Sequence, residues 1–580
     1  MKKLFLISVL ISIFSHSSAQ INQEDDIQRR QQQEQQDMLR RREMQMSERS
    51  VGLQEAEIPD ISAPQIPQEQ DTQSGCLDIK TLNITGIHKL NLGKIKKRSQ
   101  TLAGRCVTKK ALQDIQKYIQ NLYIYKGYLG ARVYFDFKGL NDKRLDIIVS
   151  EGTLEDIILL NPATKEPRAG LSADLQKLTA FPFTVNHVLQ LRDIEQGLEQ
   201  MNKLASNNAV MEMRPGKNEG SSVIIIDNDV LPKNDISLSY DNSGSDNTGR
   251  YRTGLTYSRD NLLSLNENIY LNANSTVFNN MSKNYSRSLS ASISVPFGYW
   301  SVNNSFNYSK YLTNTQGALL SFDSSGDSFT NISSLERVLA RGKSYKASAG
   351  AMLALKNSKN YFEDEYIDTS SRILSIGSLY MTGTYYSRAG YLFSKLSLNK
   401  GLHAFGAPKD EDNLPQGAQK SQFTNLNLYL NYSKNISIFN YVFAADGQYS
   451  FDNLFPSEQM MIGGEYSVRG FREHNAYGES GFTLRQDLKI PLSAIFGISR
   501  NEYLNRFLST LYIGGFFDYG RVFPKTFGNA QSLAGAGGKI TYYGKYLNGS
   551  FSYARSVYRP EDIPDEGKIL CFNLGLHVGF

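Results

Sequence analysis

From about Lys233 to Phe580 the chain alternates apolar and polar residues one by one. Leu289, Ala291, Ile293 and Val295 are separated by Ser288, Ser290, Ser292 and Ser294, and Leu426, Leu428, Leu430 and Tyr432 alternate with Asn425, Asn427, Tyr429 and Asn431. Ala347, Ala349, Ala351, Leu353 and Leu355 form another such row. The last residues put Phe572, Leu574, Leu576, Val578 and Phe580 on one face and Asn573, Gly575, His577 and Gly579 on the other. Successive strand residues point to opposite sheet faces, so one face meets an apolar medium and the other a polar one. A soluble sandwich also alternates, but its outward positions carry more charge than these Ser and Asn rows. Residues 232–580 exceed the roughly 200–250 residues of even a large all-β soluble domain. The expectation is a mostly β protein with a transmembrane barrel over 232–580. Strands of about 9–11 residues leave even counts from roughly 14 to 18 open.

Upstream the period changes to that of helices. Leu112, Ile115, Ile119 and Leu122 share one face of a helix over Lys110–Tyr125, and 79 residues later Leu191, Ile194, Leu198 and Met201 repeat the spacing. Asp114 maps to Asp193, the strand Arg144–Ser150 maps near Val223–Asp227, and Leu154–Leu160 maps back to the apolar residues from Leu77 and Ile79. The repeat predicts two α/β units, 76–152 and 153–231, each reading strand, helix, helix, strand, strand. Three-stranded sheets of this kind leave edges able to pair with an extended guest.

The first residues are an address. Lys2 and Lys3 precede an apolar stretch from Leu4 to Phe14, and Ser17 and Ala19 supply small residues before Gln20, so 1–19 is expected to be a cleaved secretory signal peptide. Glu24–Arg49 is dense in Gln, Glu and Arg with no Gly or Pro, which predicts a helix polar all round within 20–49. Such a helix is either solvated or lodged in a polar cavity. At 1.5 Å per residue it is about 39 Å long, close to the thickness of a full bilayer. Residues 50–75, with Pro59, Pro64 and Pro67, have linker composition.

Composition narrows the function classes. Among 580 residues, 63 Lys and Arg against 57 Asp and Glu give a net charge of +6, too mild for a nucleic-acid-binding surface. No apolar run reaches 18 residues, which excludes spanning helices. Tyr (34) and Phe (30) are plentiful, as barrel girdles require, though a polar soluble protein also fits that composition. Three cysteines exclude a disulfide-dense scaffold. In an oxidising compartment Cys76 and Cys106 can close a loop worth about 3–4 kcal/mol, leaving Cys571 as a small filler in a strand. Gly342-Lys343-Ser344 lacks the first glycine of a phosphate loop, Arg337 standing there, and His-Glu-x-x-His and Cys-x-x-Cys are missing. No enzyme, cofactor or metal is expected, and any transport must run without ATP.

Several motifs carry a resemblance over essentially the whole mature chain. Ile462-Gly463-Gly464-Glu465-Tyr466-Ser467-Val468-Arg469-Gly470-Phe471 is similar to an inward-folded loop tipped by Val-Arg-Gly-Phe, and Phe517-Asp518-Tyr519-Gly520 to the barrel-wall motif Phe-Asp-x-Gly. Leu191–Gly197, Met201–Leu204, Arg214-Pro215-Gly216, Cys76–Gly86, Cys106 and Tyr123–Arg132 with Gly127-Tyr128 look like POTRA domains. Together they resemble the outer-membrane transporters of two-partner secretion, the exporters of haemolysins, haemagglutinins and contact-dependent growth-inhibition toxins. The resemblance implies a sixteen-stranded barrel, a plug helix at 20–49 and two periplasmic POTRA domains. It implies one large secreted β-helical partner protein, contact with outer-membrane lipids, insertion by the barrel assembly machinery, and a monomer.

The site residues follow from charge and shape. Arg469 in a low-dielectric-walled lumen needs an anion, which Asp518 on a wall strand can supply bidentately. Gly470 permits a tight turn beside the wall, and Phe471 gives an apolar footing. The resemblance implies Val468, Arg469, Gly470 and Phe471 as the loop motif, and Phe517, Asp518 and Gly520 as the wall motif. A barrel-assembly factor shares the POTRA domains and the loop but typically carries more POTRA units and no plug. A passive porin needs neither loop nor plug.

Overall fold

The computed structural model describes residues 27, 29–33, 35–36 and 38, and residues 76–580 except 101–102, 183, 279–282, 317–320, 343, 497–500 and 526–527. The expected signal peptide and linker lie outside the described residues, as does most of the 20–49 segment.

Sixteen full-length strands close into one antiparallel barrel, from Asn234–Asp241 to Lys568–Gly579, with a further two-residue strand at Glu365–Tyr366. Closure is direct: His577 pairs with Ser237 and Leu574 with Tyr240. The alternation has its physical cause in two media. Leu574, Leu576 and Val578 stand half exposed on the outside, where lipid covers them. Inward serines and asparagines bond one another across strands, as Ser290 Oγ to Asn307 Oδ1 at 2.7 Å and Ser294 Oγ to Asn303 Oδ1 at 2.6 Å. No described helix is long and apolar enough to cross a membrane.

Two α/β units precede the barrel. In the first, Thr81–Thr85 runs parallel to Arg144–Ser150, which is antiparallel to the edge strand Arg132–Asp136. In the second, Thr153–Leu159 runs parallel to Ser221–Val230, which is antiparallel to the edge strand Asn207–Pro215. The counterpart of Thr153–Leu159 is therefore Thr81–Thr85, not the residues from Leu77 and Ile79. Leu77–Ile79 instead pairs with Arg105–Val107 in a small extra sheet, with Asp78 opposite Cys106. Apolar alternation alone cannot tell these neighbours apart, because both strands bury one face. Cys76 and Cys106 are joined by a disulfide, with their Cα atoms 5.2 Å apart, and Cys571 is free.

The helix Lys109–Tyr125 starts where the Thr108 hydroxyl accepts from Ala111 N at 3.2 Å and buries Leu112, Ile115, Ile119 and Tyr123 on its sheet. It ends at Gly127, whose φ of +89° suits glycine. Gly127 N and Tyr128 N then donate to the carbonyls of Ile124 and Tyr123. The Gly127 carbonyl in turn accepts from Leu191 N at 2.7 Å, tying the end of one unit's helix to the start of the other's. The buried Glu151 carboxylate accepts from His88 N, Lys89 N and the Tyr123 hydroxyl at 2.7–2.8 Å. Burial, then that carboxylate, push the Tyr123 phenol well above its usual range.

The second unit is bolted to the short turns at one end of the barrel. Gln196 and Gln200 both donate to the Gly298 carbonyl, at 3.1 and 2.6 Å, and Gly298 N donates to the Thr179 carbonyl. The Tyr299 hydroxyl donates to Asp193 at 2.7 Å. At the centre Glu199, 2% exposed, takes Arg341 and, at 2.7 Å, Lys346. Burial alone would raise the Glu199 carboxyl, but the Lys346 and Arg341 charges outweigh it and hold it down to about 2.

Two outcomes are expected from this fold. Cys106→Ser should lower the stability of the first unit by about 3–4 kcal/mol, seen as early exchange of the Leu77–Ile79 amides. Glu199→Ala leaves Lys346 without its anion and Arg341 with only Glu195, 4.0 Å away, a loss of about 3–5 kcal/mol at the junction. Hydrogen exchange should then report lost protection of Leu191–Asn202 in the embedded full chain. In the parent protein that protection should be equal at pH about 5 and about 7. A depressed carboxyl pKa contributes stability that is complete above its ordinary value and lost only as pH falls towards the folded one.

Candidate functional site in the barrel lumen

Residues 451–479 connect the eleventh and twelfth barrel strands, Phe439–Ser450 and Ser480–Pro491, and fold back into the lumen. Their stem is a small hairpin in which Met460–Ile462 pairs with Ala476–Gly478. Its tip carries Val468, Arg469, Gly470 and Phe471.

Arg469 is 2% exposed, and each of its three guanidinium nitrogens donates to a carboxylate. Its Nε donates to Asp518 Oδ2 at 2.6 Å and its Nη2 to Oδ1 at 2.7 Å, while its own backbone N donates to Oδ2 at 3.0 Å. A second carboxylate completes the seat: Nη1 and Nη2 reach Asp487 at 2.9 and 3.2 Å. The guanidinium also lies 3.7 Å over the Phe516 ring. Arg485 stands 4.0 Å from Asp518 and donates to the Tyr466 carbonyl, so two cations and two anions balance.

The expected Arg469–Asp518 pair is present and bidentate. Asp487 on the adjacent strand joins it, because one carboxylate cannot satisfy all five guanidinium N–H groups. The signal for Asp487 lay in Ser480–Pro491, where Thr483, Arg485, Asp487 and Lys489 alternate with Phe482, Leu484, Gln486 and Leu488. The wall-motif residues Phe517, Asp518 and Gly520 lie in the strand Leu511–Phe523. Phe517 is 43% exposed on the outer face, and the ring beneath the arginine belongs to Phe516, one pleat away.

Shape completes the fit. Gly470 has φ of +101°, and a Cβ there would lie 2.7 Å from the Arg555 carbonyl carbon. A Cβ on Gly520 would come within 2.9 Å of Val468 Cγ2. On Gly535, which the sequence analysis did not single out, it would fall 1.6 Å from the Arg469 carbonyl oxygen. Val468 and Phe471 are buried with Ile462, Ala476, Val522, Leu533 and Ile563. Beyond the tip, Glu566 accepts three successive backbone N–H groups, from Arg472, Glu473 and His474, at 2.8–3.0 Å.

The N-terminal segment meets this loop. The described residues between 27 and 38 are helical. Arg29 donates to the Pro456 carbonyl at 3.3 Å and to Gln459 at 3.2 Å, and lies 3.8 Å over the Tyr477 ring. Arg30 donates to the carbonyls of Arg472 and Glu473 at 2.6 and 3.0 Å, and Gln33 to that of Met461 at 3.5 Å. Gln31 bridges to the wall, donating to Ser286 at 3.4 Å and accepting from Ser309 at 3.1 Å. The Gln and Arg that make this helix unfit for an apolar core are its means of attachment. Beside it a cavity of about 590 Å³ is lined by Ser294, Asn303, Thr330, Ser378 and Asn427 among others. No group of three or more metal-binding side chains occurs among the described residues.

A closed barrel with an apolar outer belt, an occupied polar lumen and two α/β units at one end defines the class of outer-membrane β-barrel transporters. The comparisons then place the chain within that class. It belongs to the haemolysin secretion/activation protein family ShlB/FhaC/HecB, whose model matches residues 220–542, with a ShlB-type POTRA domain at 66–152 and a second POTRA domain at 154–215. It is 29% identical over 432 residues to the outer membrane transporter CdiB of Dickeya dadantii, covering 74% of this chain and 75% of that one. It is 26% identical to the haemolysin transporter protein HpmB of Proteus mirabilis, covering 93% and 92%. The solved structure of CdiB from Escherichia coli superposes with a TM-score of 0.80 at 24% identity, over 96% of this chain and 98% of that one. The chain is thus a two-partner secretion outer-membrane transporter, with its POTRA domains in the periplasm.

The seat predicts a ranking. Arg469→Ala leaves the buried Asp518 carboxylate facing the part-buried Asp487, and breaking a buried pair costs about 3–5 kcal/mol. Asp518→Ala removes three of the arginine's bonds and Asp487→Ala two, so loop release should be greater for the first. Hydrogen exchange of the Met460–Ile462 and Ala476–Gly478 amides should show that order in a barrel that still migrates as folded without heating. The Arg469 and Asp518 losses should combine less than additively. Equal protection in Arg469→Ala and parent protein would show that the pair does not hold the loop.

Proposed function

We propose that this chain exports one large secreted partner protein across the outer membrane, unfolded, through the barrel lumen and without ATP. The observation that carries the reading is the manner of plugging. Among its described residues the lumen helix is held by polar bonds to the inward loop and to the wall. Each such bond contributes about 0.5–1.5 kcal/mol net. A plug so held can leave without the barrel opening, and Arg469 with Asp518 and Asp487 keeps the loop seated while it does. The Ser and Asn rows of the lumen offer a passing chain hydrogen bonds without an apolar surface to adhere to. With no nucleotide motif in the sequence, folding of the passenger outside supplies the pull.

The partner docks by strand addition on an exposed POTRA edge. Asn207–Pro215 is an edge strand with Val210 56% and Met213 47% exposed. The partner is a secreted β-helical protein, the surrounding lipids are those of the outer membrane, the barrel assembly machinery inserts the chain, and the exporter acts as a monomer. Two POTRA units and a helix in the lumen set this reading apart from a barrel-assembly factor.

Deleting residues 24–49 should raise single-channel conductance in planar bilayers while the barrel still folds. Val210→Glu with Met213→Glu should leave conductance unchanged and lower partner secretion by about tenfold, the equivalent of roughly 1.4 kcal/mol of docking. Unchanged conductance on deletion would place the helix outside the conducting path. Undiminished secretion by the double variant would remove this edge as the docking site.

A further inference from the structure

The turns at the periplasmic end of the barrel are short, two residues at 298–299, 388–389 and 437–438. The connection between Ser480–Pro491 and Leu511–Phe523 is different: it spans 492–510 and contains the helix Glu502–Thr510. That helix is well made. The Asn501 side chain accepts from Tyr503 N and Leu504 N, at 3.0 and 3.3 Å, and the helix stops where Leu511 turns extended and enters the wall. It nevertheless buries none of its residues. Tyr503 is 88% exposed, Phe507 51% and Leu504 45%, and these positions, three and four apart, form one stripe. An apolar stripe left open on a capped helix marks a surface that something covers.

What covers it follows from where the helix lies. The Phe507 ring packs 6.0 Å from that of Tyr542. In its strand Tyr542 shares a face with Ile540, which is 44% exposed, whereas Thr541 between them is 8% exposed and faces the lumen. Tyr542 pairs with Leu511, and Ile540 with the outward Ile513. The stripe is therefore continuous with the lipid-facing belt of the barrel and is carried over its outer side, not beneath the lumen. Arg506 on this helix and Lys545, three residues past Tyr542, are exposed, and Lys545 sits 4.9 Å over the Tyr546 ring; long basic side chains so placed can reach headgroup phosphates.

We propose that Glu502–Thr510 is an interfacial helix that lies in the periplasmic leaflet of the outer membrane, its Tyr503–Leu504–Phe507 stripe among phospholipid acyl chains and Arg506 at their phosphates. The proposal rests on the outer-membrane placement of the barrel. The helix adds an apolar footing on the lipid side of the wall strand that carries Asp518, and so steadies the strand on which the loop is seated.

The test uses the full chain with its single tryptophan replaced, Trp300→Phe, in vesicles of phosphatidylethanolamine and phosphatidylglycerol containing phospholipids brominated at known acyl depths. One tryptophan is then returned at a time: Phe507→Trp or Tyr503→Trp in the helix, Ile513→Trp on the barrel wall, and Tyr125→Trp on the first α/β unit. Only variants that migrate as folded without heating are read, and the two helix positions guard against failure of either. The expected result is blue-shifted helix emission, quenched most by bromines near the glycerol end of the acyl chain and shielded from aqueous iodide. Ile513→Trp should be quenched by lipid, and Tyr125→Trp by iodide. Helix tryptophans that behave like Tyr125→Trp, while Ile513→Trp is quenched by bromolipid, overturn the proposal and leave the barrel's placement intact. Absence of bromolipid quenching at Ile513→Trp as well overturns that placement, and the proposal with it.

Discussion

The guanidinium of Arg469, buried in the lumen between the carboxylates of Asp518 and Asp487, is the interaction on which the rest of the interior depends. A buried cation is stable only when its N–H groups are matched, and here two adjacent strands and an aromatic face supply the match. Because Asp518 also accepts the backbone N–H of Arg469, the bond fixes the chain path of the loop and not merely one side chain. Remove that constraint and nothing else in the loop tip is both charged and fully enclosed. The apolar contacts of Val468 and Phe471 place the tip against the wall, while the ion pairs decide its rotation and depth.

Glycines make the seat possible from both sides. Gly470 turns the loop where a side chain would strike the backbone at Arg555, and Gly520 and Gly535 thin the wall where Val468 and the Arg469 carbonyl press on it. The seated loop then serves as the surface on which the lumen helix rests. Arg29, Arg30 and Gln33 address carbonyls of the loop, so plug and loop share one polar interface. At the other end, Glu199 with Arg341 and Lys346 joins the second α/β unit rigidly to the periplasmic turns.

Much of this was legible along the chain. The barrel declared itself because a strand between lipid and water must alternate, and rows such as Ser288–Val295 have no other reason to do so over hundreds of residues. The duplicated α/β units were legible in Leu112, Ile115 and Ile119 against Leu191, Ile194 and Leu198, since a helix packing on a sheet needs an apolar stripe. Arg469 and Asp518 stood out as the charges within the two motifs that carry the resemblance. Asp487, Phe516, Gly535 and Glu566 did not, because each becomes significant only through a neighbour in space. Asp487 sits in an ordinary alternating strand, and only the pairing of that strand with Leu511–Phe523 brings it beside Asp518. Phe516 shares the face of Asp518 by strand alternation, but only the seating of the loop brings the arginine over its ring.

The sequence by itself determined the period of each region, and with it which segments become barrel and which become α/β units, because period is a local consequence of what each face of a strand or helix must touch. It also determined that residues 24–49 would suit a polar setting and no apolar core. For the described residues between 27 and 38 the tertiary structure decided which polar setting. It decided as well which strand stands beside which, which of two parallel candidates pairs in the first α/β unit, and which carboxylates face the buried arginine. Those choices turn on register and on contacts between residues far apart in the chain, and a one-residue slip of a strand exchanges everything it shows to the lumen for everything it shows to the lipid.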